Sequence, residues 1–152
     1  MIFTASQRVS APRTFVFERA TEFDRLAQAL LGRGAKVADA TPAGGAPRFE
    51  VEYPFRDAMW PAALELQGQN PPDALTVAVQ AAAVQALADF GFREAEPEVT
   101  LVELSVTLKP RNLQGRLLLG SLHVVRGRVQ ERLEEDLAAL ARGAEALWIA
   151  RG

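Results

Sequence analysis

A chain of 152 residues and 16.5 kDa, 49% apolar and 24% charged, has globular composition and the size of one domain with one core, expected to span residues 1–152. A net charge of −2 and a pI near 5.5 lack the concentrated excess of Lys and Arg that phosphate neutralisation needs, so no nucleic-acid partner is expected. With no cysteine and the single histidine His123, a disulfide scaffold, a thiol nucleophile and a thiolate or His-rich metal site are all excluded, and no metal or other cofactor is expected.

The opening MIFTASQRVSAP alternates apolar and polar residues, unlike a signal peptide, which predicts a cytoplasmic protein. The richest apolar stretch, Leu113 to Val125, is interrupted by Gln114, Arg116, Ser121 and His123, so no membrane span is expected. The abundance of alanine, and of arginine over lysine, reads more simply as codon bias than as function.

In chain order, Ile2 to Val9 reads as a strand. Ser10-Ala11-Pro12 then predicts a helix start, with Ser10 or Ala11 capping and Pro12 in the first turn. Val16, Phe17 and Ala20 supply the apolar face of that short helix. Thr21, with Asp24 three residues on, predicts the cap of a second helix carrying Phe23, Leu26, Leu30 and Leu31, which Gly32-Arg33-Gly34 ends.

From there to Pro110 the punctuation is that of a β-meander, with breaks at Thr41 to Pro47, Gly68 to Asp73 and Glu94 to Glu98. Phe49, Val51, Tyr53 and Phe55 share one face of a strand whose other face carries Glu50 and Glu52. Val102, Leu104, Val106 and Leu108 do the same opposite Glu103, Ser105, Thr107 and Lys109. Both alternations predict an antiparallel sheet covered on one side. Val77 to Phe90 fits a helical face as well as a strand pattern, and its alanines lean it locally towards helix.

After Pro110 the apolar spacing predicts one long helix, with Leu118, Leu122, Val125, Val129, Leu133, Leu137, Leu140, Ala144 and Leu147 in one stripe. At 1.5 Å per residue it would run roughly 55 Å, so Gly115, Gly120 or Gly127 is a candidate bend. A second stripe, Leu113, Leu117 and Val124, lies roughly 130° round from the first. That half of the helix must be covered on two sides, by the rest of the fold or by another subunit of a homo-oligomer.

Strand, two short helices, antiparallel strands and a long terminal helix is the order of an α+β helix-grip fold, a curved antiparallel sheet wrapped around its last helix. VSAPRTFVFERATEFDRL resembles the opening of the SRPBCC superfamily (START-related, polyketide cyclase and lipid-transport-like proteins), in which a strand ends at Ala-Pro and the next helix carries a Val-Phe pair. LSVTLKPRNLQGRLLLGSLHVVRGRVQERL resembles the last strand and helix of uncharacterised bacterial members. With this resemblance and the flanking alternation, Val77 to Phe90 is read as two strands around a turn near Ala81 to Ala83.

The resemblance implies a cavity between sheet and helix that takes an apolar or amphipathic small molecule, lipid- or polyketide-like. The candidate lining is Tyr53, Phe55, Trp60, Leu64, Val77, Leu104, Val106, Leu118 and Leu122, with few polar groups. Tyr53 and Trp60 stand out, because a buried phenol or indole N–H needs a partner that a ligand can provide. Arg56, Arg111 and Arg116 are candidates for holding an anionic head group, although in an arginine-rich chain solvation is the simpler role.

No residue is nominated as catalytic. His123 lies off the main stripe with no partner at catalytic spacing, and Glu131, Glu134, Glu135 and Asp136 read as a wet helix face. Binding of a small molecule is the first reading. A cyclase- or dehydratase-type enzyme and a protein-interaction module are the alternatives.

Overall fold

A computed structural model of the chain describes residues 1–55 and 57–151, with the backbone alone for Leu26, Ala29 and Phe55. The elements are β1 (Ile2–Val9), α1 (Arg13–Ala20), α2 (Phe23–Gly32), β2 (Lys36–Asp39), β3 (Arg48–Phe55), β4 (Ala58–Asn70), β5 (Ala74–Ala81), β6 (Val84–Glu96), β7 (Val99–Pro110), α3 (Leu113–Val124) and α4 (Arg126–Arg151). The strands form one curved antiparallel sheet in the order β1-β7-β6-β5-β4-β3-β2. Among the described residues only the β1–β7 pairing joins strands distant in sequence. The chain must therefore cross from one edge to the other between β1 and β2, six spacings of about 4.8 Å, and α1 and α2 make that crossing.

The alternations set the register. Phe49 pairs with Leu64, Val51 with Ala62 and Tyr53 with Trp60, and across the sheet Phe90 pairs with Leu104 and Val106 with Phe3, so these residues share the inner face. Register shifts between Leu66 and Gly68 and between Glu94 and Glu96 mark bulges, which bend and twist the strands they interrupt. Val77 to Phe90 forms β5 and β6 around Ala82 and Ala83. Pairing with neighbours on both sides outweighs the helical preference of its alanines.

Three local expectations fail. Pro12 is itself the N-cap of α1 with no side-chain cap, and Ser10 instead donates its backbone N–H to a Glu145 Oε atom at 2.8 Å. Thr21 does not cap α2. Its hydroxyl donates to the Glu18 carbonyl at 2.9 Å, and Glu22 is the N-cap. The predicted single terminal helix is two, broken at Val125, whose N–H turns back to the Leu122 carbonyl. The break falls beside Gly127 rather than at a glycine.

The core is concentrated at one end of the inner face, where Val9, Leu66, Leu75, Phe92, Val102 and Leu104 meet Phe15, Val16 and Phe17 of α1 and Leu137, Ala141 and Ala144 of α4. Phe17 meets Phe92 edge-on at 5.4 Å, and Phe15 meets Trp148 at 5.1 Å. Thr100, fully buried, donates its hydroxyl to the Ala11 carbonyl at 2.7 Å and so fixes the passage from β1 into α1.

Candidate functional site

At the opposite end the inner face is not filled. Tyr53, Leu64, Val79, Val106 and Leu108 are only half-buried, as are the small side chains of Ala62, Ala81, Ala86 and Ala88 on the same face; Val106 and Ala88 also pack against the core and mark its boundary. α4 runs along β1, so it covers the inner face from one side. We read this half-buried apolar surface as a candidate cleft, away from the aromatic end and toward the turn of β5 into β6.

α3 stands at the open end. Its start is built on the β5–β6 turn through backbone oxygens: Arg111 donates its guanidinium to the Ala81 carbonyl at 2.6 Å and its N–H to that of Ala83 at 2.8 Å. Asn112 donates to the Ala82 carbonyl at 3.3 Å, and its Oδ1 accepts from the Gly115 N–H at 2.9 Å, capping the helix. At Gly115 a Cβ would lie 2.0 Å from the Ala83 oxygen, so this approach is possible only for glycine. Leu119 is buried and Leu122 half-buried on the same helix face.

A polar bridge marks the β3 side. Arg33, just past α2, reaches Asp136 of α4 at 3.3 Å. Its guanidinium is held more firmly charged than usual, first by the Asp136 carboxylate and then by the nearby Tyr53 phenol. Asp136 also pairs with Arg132 at 3.3 Å. Tyr53 is thus the polar member of the half-buried inner-face set nearest this ion pair.

Of the predicted lining, Tyr53, Leu64, Val106 and Leu122 are half-buried about the cleft, whereas Val77 and Leu104 are buried in the core. Trp60, 56% exposed, and Leu118, 48% exposed, stand at the surface rather than in an enclosed interior. The Phe55 side chain and Arg56 lie outside the described residues. The second stripe is not covered by the rest of the fold: Leu113, Leu117 and Val124 are exposed. His123, Arg116, Glu131, Glu134 and Glu135 are exposed, and Asp136 is half-buried in its ion pairs.

Sequence reading misses Arg33, which looks only like part of a helix stop, and Asp136, which falls in the wet acidic run. The two are 103 residues apart, and no local spacing links them. It places Ala62 on the inward face with Leu64 but misses Ala81, Ala86 and Ala88, whose signal in β5 and β6 is indistinguishable from codon bias.

Two grooves, of about 520 and 900 Å³, are also present, the first touching Ala62 and Ala81 of the same strands. The first is lined by Lys36, Glu50, Glu52, Gln80 and Arg111 among others, the second by Thr4, Ser6, Asp89, Arg93 and Glu103 among others. Both carry outward-facing polar side chains of the sheet. Among the described residues no group of three or more His, Asp or Glu could hold a metal ion, and no helix is long and apolar enough to cross a membrane.

No known protein-family profile matches the chain, and no curated protein matches it significantly. Solved structures do match over nearly its whole length. The protein TTHA0849 from Thermus thermophilus is 18% identical with a TM-score of 0.68, covering 97% of this chain and 99% of its own. The Zhui aromatase/cyclase from a Streptomyces is 16% identical with a TM-score of 0.70, covering 95% and 93%. A START superfamily protein from Mycobacterium smegmatis is 12% identical with a TM-score of 0.57, covering 90% and 98%. Sheet order, helix placement and these similarities define the fold: the chain has the helix-grip fold shared by these structures.

Proposed function

We propose that the protein binds an apolar or amphipathic small molecule in the cleft between the inner face of the sheet and α3 and α4. The observation that carries this reading is the half-buried apolar surface of Tyr53, Leu64, Val79, Val106 and Leu122 around four alanines. Such a concave apolar surface with few polar groups is the usual profile of a small-molecule site. The fold supports it by analogy, which is a weaker warrant than the site itself. In this reading Tyr53 and Arg33 orient the polar end of the ligand at the rim, and Leu122 and Val106 contact its apolar body.

Native mass spectrometry of freshly purified protein tests for a retained molecule, and Leu122→Trp tests the cleft. An indole filling open space leaves the melting temperature nearly unchanged and displaces a fluorescent fatty-acid analogue. In a close-packed core the same change costs about 1 to 3 kcal/mol. Failure of the wild type to bind the probe, together with strong destabilisation by Leu122→Trp, rejects the reading.

A cyclase- or dehydratase-type enzyme is the second reading, in which the half-buried Tyr53 phenol, near the Arg33–Asp136 ion pair, polarises a ligand carbonyl. Tyr53→Phe separates the two. A pure binder keeps probe affinity within about threefold, whereas an enzyme loses turnover by about a hundredfold or more with binding retained.

A further inference from the structure

α3 has two apolar faces, and the body of the protein uses only one. Gly115, Leu119 and Leu122 face inward. Opposite them, at about 100° per residue, Leu113, Leu117 and Val124 form a ridge exposed by 72%, 68% and 84%, with Leu118 and Val125 also exposed.

The charge carried by the sequence flanking this ridge is one-sided, although Arg111 shares a groove with Glu50 and Glu52. From Leu104 to Gln130 the sequence carries Lys109, Arg111, Arg116, Arg126 and Arg128 and not one Asp or Glu, in a chain whose net charge is −2. Among the described residues none of the five enters an ion pair. Arg111 and Arg126 donate to the carbonyls of Ala81 and Ile2, which fixes their positions without neutralising them.

We propose that α3 docks on an anionic lipid surface. The aliphatic ridge enters the boundary between head groups and acyl chains, while the arginine stems on either side extend to the phosphates. A second copy of the chain fits worse, because a two-fold contact through this ridge brings the cations together with no carboxylate in the segment to pair them. A protein groove fits worse too, since the ridge offers only aliphatic side chains where protein interfaces are anchored by aromatic residues. The proposal rests on α3 and its charges and does not require the cleft to hold a ligand.

The test is flotation of the full chain with vesicles of phosphatidylcholine alone and of equimolar phosphatidylcholine and phosphatidylglycerol. Binding to the anionic vesicles is expected to exceed binding to the neutral ones at least about tenfold at low salt and to weaken severalfold at high salt. Arg116→Gln with Arg128→Gln lowers it by about tenfold or more. Leu117→Gln with Val124→Gln lowers it comparably without shifting the thermal midpoint, because neither side chain is part of the core. Absence of binding to both vesicles, equal binding to both, or undiminished binding by either double variant overturns the proposal. So does a concentration-dependent dimer that Leu117→Gln dissociates, in the absence of vesicle binding.

Discussion

The two ends of the inner face are built from the same strands but solve opposite problems. At the closed end β4, β6 and β7 present Leu66, Phe92, Val102 and Leu104, and α1 returns Phe15 and Phe17 to fill the space between them and α4. At the open end the same strands present Ala62, Ala86 and Leu108, all only half-buried. Stability is therefore concentrated where volume is filled. Where alanine replaces bulk, apolar surface remains partly wet, at an energetic cost relative to full burial that a bound apolar group would recover.

The contrast is broken most directly by Phe92→Ala, which empties a fully packed position and is expected to lower unfolding free energy by about 3 to 5 kcal/mol in a urea titration. A loss below about 1 kcal/mol would mean that the closed end is no better packed than the open one. Next, Gly115→Ala drives a methyl into the Ala83 carbonyl and should cost about 1 to 3 kcal/mol. Hydrogen exchange should then place the loosening in α3 and the β5–β6 turn, with the closed end still protected.

Leu64→Ala sharpens the comparison from the other side. Already half-exposed, Leu64 should cost only about 1 kcal/mol on truncation, while the fatty-acid probe loses affinity by about fivefold. A larger stability loss with unchanged probe affinity would assign Leu64 to the core.

The smallest effect lies outside both ends. Asp39, at the exposed edge, has its carboxyl held below the usual range by Thr41, first through its hydroxyl and then through its backbone N–H, the latter at 2.9 Å. A folded pKa below the unfolded one means stability present above the unfolded value and lost as pH falls through the folded one. An NMR titration should find Asp39 ionised to lower pH than in the unfolded chain, and Asp39→Asn should leave stability at neutral pH almost unchanged.

Much of the sheet was legible because a half-buried strand must alternate: Phe49, Val51 and Tyr53 against Glu50 and Glu52 announced both the element and its buried side. The β5–β6 hairpin was legible only with help, since local alanine content argued for helix and long-range pairing decided otherwise. Helix starts misled where a tertiary partner competed with the local cap, as when Glu145 takes the Ser10 N–H. Sequence alternation placed Tyr53, Leu64 and Val106 on the inner face, where the structure has them half-buried. The rim could not be read that way, because Arg33 meets Asp136 only after the chain has crossed the sheet. Nor did a helical stripe by itself reveal that Leu117 and Val124 would remain uncovered.

The turn beneath α3 carries one more consequence. Among the described residues, the hydrogen bonds from Arg111 and Asn112 to this turn end on main-chain oxygens of Ala81, Ala82 and Ala83, so those bonds do not depend on what side chains the three positions bear. Ala82 is exposed and can be exchanged for a residue carrying a spectroscopic label, giving a reporter mounted on the entrance itself, whereas position 115 on the facing helix tolerates no added atom. Tolerance and intolerance to substitution thus sit against each other across a single contact, and a library randomised at both should return variation at one and glycine alone at the other.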